Sequence, residues 1–120
     1  MTTRETIQSY FASLRGKSGW EAILADDIAF TSFTSPVKHV TGKGAYLEAT
    51  KRFFSMIKAV ELKSILVHGE RACALTRYEL QAPGGLAFES HVAELFEVRD
   101  GKIASLEIYF DSAPFPKPKS

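Results

Sequence analysis

The stretch "HVAELFEVRDGKIASLEIYFD", residues 91–111, holds the residue best suited to chemistry, Glu94. Alternation places it on one strand face with Val92, Phe96 and Val98, where burial is expected. A carboxyl in an apolar, concave setting loses hydration of its charged form, and its pKa rises. It can then donate a hydrogen bond, or exchange a proton, near neutral pH. The plainer alternative is a glutamate near a strand end, paired with an arginine or reaching solvent. Tyr10, in "IQSYFASL", shares an apolar helix face with Phe11 and Leu14. A buried tyrosine hydroxyl needs a partner. Glu94 is the expected one, either as part of a pocket or as a brace within a filled core.

Other reactive residue types form no recognisable constellation. His91 falls on the face opposite Glu94, His68 in a turn, and His39 in a loop that could overhang an opening. No carboxylate or cysteine stands at ligand spacing from them, so no metal is expected. There is no GxSxG nucleophile elbow and no phosphate loop of the GxxxxGK type. No cofactor motif is present, and none is expected. The single Cys73 excludes an intramolecular disulfide and reads as a small apolar residue in a strand. Asp111 is expected to start the exit turn "DSAP", where its side chain can bond backbone amides.

These side chains need a scaffold, and the chain is long enough for one. Its 120 residues suit a single domain, with 45% apolar and 24% charged residues in ordinary globular proportion. A net charge of +1, with dispersed basic residues, gives no footprint for nucleic acid. No run approaches the ~18 apolar residues of a membrane span, and the polar N-terminus lacks a signal peptide. A cytoplasmic protein is expected.

Thr2 and Glu5 form a capping-box pattern ahead of Ile7, Tyr10, Phe11 and Leu14, spaced as one helix face. Ser18 and Glu21 suggest a second, short helix bearing Trp20, Ile23 and Leu24, closed by Asp26 and Asp27. A strand "IAFTSFT" follows, then a loop, "SPVKHVTGKG". A third helix is expected from Lys43 to Ile57, with Tyr46, Thr50, Phe53, Phe54 and Ile57 on one side. The period then changes to two. "VELKSILVHG", "RACALTRYELQ", "LAFESHVAELFEV" and "KIASLEIYFD" read as four strands joined by hairpin-length turns. The class is α+β: a curved antiparallel sheet wrapped around three N-terminal helices, in one domain over residues 1–112 with a short tail, 113–120.

The order of elements and the stretches "IQSYFASL", "ILADDIAF", "TGKGAYLEATKRFF" and "FEVRDGKIASLEIYF" resemble the nuclear transport factor 2-like fold. The resemblance is to its SnoaL-like group, relatives of polyketide cyclases and ketosteroid isomerase, and covers residues 3 to about 112. It implies a cone-shaped molecule with a pocket between helices and concave sheet, and dimers formed through the convex face. In the isomerase subgroup a helix tyrosine and a protonated acid form an oxyanion hole, beside an aspartate base. The alignment puts Tyr10 at the tyrosine, Glu94 at the acid and Ser32 at the base. An unactivated serine is no base near neutral pH, so the resemblance stops short of the steroid reaction.

The expected catalytic residues are therefore Tyr10 and Glu94. Trp20, Phe30, Ser32, Thr34, Phe53, Phe54, Ile57, Thr76, Tyr78, Phe96, Ile108 and Phe110 are expected to wall the pocket. The expected ligand is a small, mostly apolar molecule with a carbonyl or hydroxyl, open to isomerase-, cyclase- or dehydratase-type proton transfer. The rival is a filled, non-catalytic module of the same fold that pairs with itself or docks a partner. The other strand faces carry Cys73, Leu75 and Leu95 among charges, which suits a homodimer through the convex sheet.

Overall fold

A computed structural model describes residues 2–33, 37–111, 113 and 115. Helix α1 (Thr3–Arg15) begins as its sequence dictates. The Thr2 hydroxyl accepts from the Glu5 amide at 3.1 Å, and Glu5 Oε1 accepts from the Thr2 amide at 2.9 Å. Two otherwise orphaned amides are thereby satisfied. Its inward face buries Ile7, Tyr10, Phe11 and Leu14.

The expected second helix is only a 3-10 turn, Trp20–Ile23. Four residues cannot repay α-helix nucleation. Gly19, at φ 90°, precedes the turn, and the Ser18 side chain makes no cap. Strand β1 (Leu24–Ser32) starts at once, so Asp26 and Asp27 lie in the strand instead of closing a helix. Both face solvent, where Asp26 pairs with Lys43 at 3.7 Å and Asp27 with Arg99 at 3.3 Å.

The presumed loop contains strand β2 (Lys38–Thr41), a short polar edge strand antiparallel to β1. Helix α2 (Lys43–Met56) follows, with Tyr46, Thr50 and Met56 buried. Ile57 caps α2 in extended conformation and begins β3 (Ile57–His68). Strands β4 (Arg71–Gln81), β5 (Ala87–Arg99) and β6 (Lys102–Phe110) complete the sheet. Among the described residues the order is β2-β1-β6-β5-β4-β3. The fold is α+β, with two α-helices among the described residues on a curved, open, six-stranded sheet, in place of the three helices expected. The sheet is also not wholly antiparallel. After β1 the chain crosses through β2 and α2 to the far edge, so β1 meets β6 in parallel.

The β5–β6 hairpin turns on Asp100 and Gly101, at φ 54° and 73° between paired Arg99 and Lys102. Positive φ at both central residues suits the right-handed twist of a hairpin, which Asp-Gly tolerates best. That register puts Val92, Glu94, Phe96 and Val98 on the buried face. At one end of the concave face, α1 is packed tightly: Phe96 contacts Tyr10 and Phe11 edge-on at 5.8 and 6.0 Å. Towards the other end a cavity lies between side chains of α2 and the sheet.

Candidate functional site

The cavity has a volume of about 310 Å³, lined by residues of α1, β1, β2, α2, β4, β5 and β6. Helix and sheet contribute in different ways. The α2 spacing of Tyr46, Ala49, Thr50, Phe53 and Phe54 gives one apolar wall. Opposite it, the pleat supplies Phe30, Ser32, Tyr78, Val92, Glu94, Leu106, Ile108 and Phe110. Thr50 spends its hydroxyl on the Tyr46 carbonyl at 2.8 Å, so the helix wall stays apolar there.

Glu94 is 3% exposed, and its neighbours decide its state. Its Cα pairs with Ala74 of β4 and Ile108 of β6, both apolar. Thr76 and Tyr78 donate hydrogen bonds to Oε2, at 2.7 and 2.8 Å. Oε1 accepts none from a described residue. Burial pushes the Glu94 pKa up to about 7, against the pull of the two hydroxyl donors. With Oε2 already accepting twice, Oε1 is the natural seat of the exchangeable proton.

The tyrosines are all protonated donors. Burial raises the Tyr10 and Tyr78 hydroxyls well above the usual range, and neighbouring Tyr46 and Glu94 respectively add to it. Burial also raises Tyr46, while its hydrogen bond to Tyr10 opposes. Tyr10 and Tyr46 lie hydroxyl to hydroxyl at 3.3 Å. One proton joins that pair, which leaves a second for anything placed between them.

This arrangement corrects the expected pairing. The Tyr10 hydroxyl meets Tyr46, while Glu94 takes its bonds from the neighbouring strand. The reason is register: Tyr78 and Thr76 share a pleat face with Ala74, which stands directly beside Glu94. Of the expected walls, Phe30, Ser32, Phe53, Phe54, Tyr78, Ile108 and Phe110 line the cavity. Thr76 is fully buried behind Glu94 and supports it without lining the space. Phe96 belongs to the core beneath α1. Trp20 and Ile57 border a separate groove with Leu14, Leu47 and Phe54, because the 3-10 turn holds Trp20 on the outer side of Phe54, 5.4 Å away. Thr34 lies outside the described residues.

Sequence reading missed Tyr46, Ala49, Thr50, Val92, Leu106 and Lys38 as lining residues. Val92 and Leu106 share pleat faces with Glu94 and Ile108, and Tyr46 shares a helix face with Phe53, so periodicity carried a signal for them. Lys38 had none, since its strand was not recognisable. His39 bonds Thr31 at 2.7 Å, and His91 lies by Lys63 and Glu89 at 3.1 and 3.7 Å on the convex side. Asp111 accepts from the Ala113 amide at 3.0 Å, as a turn-forming aspartate does. Among the described residues no group of His, Cys, Asp or Glu could hold a metal ion, and no helix is long and apolar enough to cross a membrane.

Residues 7–106 match the sequence model of the SnoaL-like domain. No protein of curated function matches the chain. Among solved structures it is similar to a candidate SnoaL-like polyketide cyclase from Jannaschia sp., at TM-score 0.78 and 16% identity over 97% of this chain and 93% of that one. It is also similar to an LEH-like epoxide hydrolase of M. tuberculosis, at TM-score 0.77 and 20% identity over 93% and 84%. A third is a hypothetical protein with a ketosteroid isomerase-like fold from Catenulispora acidiphila, in complex with trimethylamine, at TM-score 0.77 and 18% identity over 92% and 88%. Identities this low carry the fold alone.

Proposed function

The chain belongs to the SnoaL-like domain family, and we propose that its cavity binds a small, mostly apolar molecule bearing a carbonyl or hydroxyl. The observation that carries this reading is Glu94: a carboxyl on an apolar cavity wall, with one oxygen tied down and the other without a hydrogen-bond partner among the described residues. A group in that state donates to a ligand oxygen when protonated and accepts from a ligand hydroxyl when ionised. The Tyr10–Tyr46 pair offers a further donor on the helix side.

The same groups suit proton transfer beside a carbonyl. Glu94, near pKa 7, can take a proton from carbon and return it to another carbon of the same ligand. The tyrosine hydroxyls would meanwhile hold the developing oxyanion. Ser32, which the resemblance to the isomerase subgroup aligns with the base, lines the cavity, and Glu94 is the one carboxylate among the described lining residues. The chemistry thus reduces to a single shuttling acid, as in an isomerisation, a cyclisation or a dehydration.

Fluorescence titration with 2-naphthol tests binding: saturable binding to the wild type, weakened at least about tenfold in Glu94→Ala, supports the reading. Absence of binding refutes it. Conversion of a β,γ-unsaturated ketone to its conjugated isomer, abolished in Glu94→Gln, separates an enzyme from a carrier.

A second reading concerns assembly. On the convex face Leu66, Leu75, Leu95 and Tyr109 are exposed, Leu66 by 65%, in rows flanked by the Arg77–Glu61–Glu89 ion pairs. We propose that this face joins two copies of the chain. Light scattering at high concentration should give a dimer mass; a monomer would refute it.

A further inference from the structure

We infer that the cavity selects an anionic ligand, whose negative group sits at the rim on Lys38 and Ser32 while its other end meets Glu94. The inference rests on the reading of the cavity as a ligand site and narrows the class of ligand. It comes from strand register. Lys38 of β2 pairs with Ser32 of β1, Ser32 with Ile108 of β6, and Ile108 with Glu94 of β5. Residues paired across strands point to one face, so the four form a single row, and all four line the cavity.

Polar groups stand at both ends of this row and an apolar residue lies between them. Three strand spacings separate the Lys38 and Glu94 backbones, about 14 Å at ~4.8 Å per strand. A two-ring molecule with a polar group at each end has a length of that order. The floor between is Ile108, and Phe30, Leu106 and Phe110 lie alongside.

Charge points the same way. Lys38 is the one cation among the described lining residues. No carboxylate of the described residues pairs with it, whereas Lys43 is held by Asp26 and Arg99 by Asp27. A protonated Glu94 leaves the cavity with the single positive charge of Lys38, which a monoanion neutralises. An apolar molecule with a carboxylate at one end and a hydroxyl or carbonyl at the other satisfies every polar group in the row.

The matched pair 2-naphthol and 6-hydroxy-2-naphthoate tests this, since they differ only in the distal carboxylate. Titrated by fluorescence at low salt, the wild type should bind the naphthoate about tenfold more tightly than the naphthol. The preference should shrink on adding salt, because the rim is open to screening. In Lys38→Gln the ratio of naphthoate to naphthol affinity should fall to about one. Equal affinities in the wild type, or a preference that survives Lys38→Gln, would overturn the inference and return Lys38 to guarding an edge strand. In either case naphthol binding that depends on Glu94 would leave the pocket reading standing. Failure of both ligands to bind would overturn the two together.

Discussion

Replacing Glu94 by glutamine should stabilise the protein at alkaline pH and leave it nearly unchanged in acid. The folded pKa is about 7 against 4.5 for the free side chain. A raised carboxyl pKa means that the folded state holds the proton more tightly than the unfolded chain. Its contribution is therefore intact below pH 4.5 and is lost as pH rises towards 7, where the buried group must ionise. At ~1.4 kcal/mol per unit, the full loss is about 3 kcal/mol. Glutamine keeps an acceptor for Thr76 and Tyr78, fits the same space and never ionises. Denaturant unfolding of both proteins at about pH 5 and about pH 8 should give a change in their stability difference of about 2–3 kcal/mol, with the variant favoured at the higher pH. By heat the shift corresponds to about 10 °C in a domain of this size. The double difference cancels every other titrating group. A stability gap equal at both pH values would refute the reasoning, because it would mean that Glu94 titrates alike folded and unfolded.

Tyr78→Phe removes a donor that holds the ionised carboxylate, so the Glu94 pKa should rise above about 7, as read by its titration in the variant. Tyr46→Phe breaks the hydroxyl pair with Tyr10 and should weaken a ligand that presents a phenolate or enolate oxygen by about tenfold; it also strips the buried Tyr10 hydroxyl of its partner, which should cost about 1–3 kcal/mol in denaturant unfolding. Gly101→Ala places a side chain at φ 73° in the β5–β6 turn, and should cost about 1 kcal/mol in denaturant unfolding without altering the Glu94 titration.

The β5–β6 hairpin was legible in the sequence because every signal in it is local. Asp100-Gly101 names the turn, the turn sets the register, and the pleat then assigns Glu94 to the face of Phe96. The strands β3, β4 and β5 were equally plain from their period of two. What escaped was non-local or short. The four residues of β2, three of them polar, carry too little pattern to be recognised, and with them went Lys38. The parallel pairing of β1 with β6 depends on how α2 carries the chain across the sheet, which no window of residues records. The short helix at Trp20 had a capping pattern but too few residues to use it. Tyr10 was correctly read as needing a partner. That partner is Tyr46, 36 residues away on a second helix, because α1 and α2 converge over the same face.

The account turns on the carboxyl of Glu94 being held half-protonated near neutral pH by burial in an apolar wall. Carbon NMR of a sample labelled at the glutamate side-chain carboxyl follows that titration directly. One carboxyl signal should titrate near pH 7 and be absent from Glu94→Gln. A Glu94 signal that titrates close to 4.5, with those of the exposed glutamates, would contradict it.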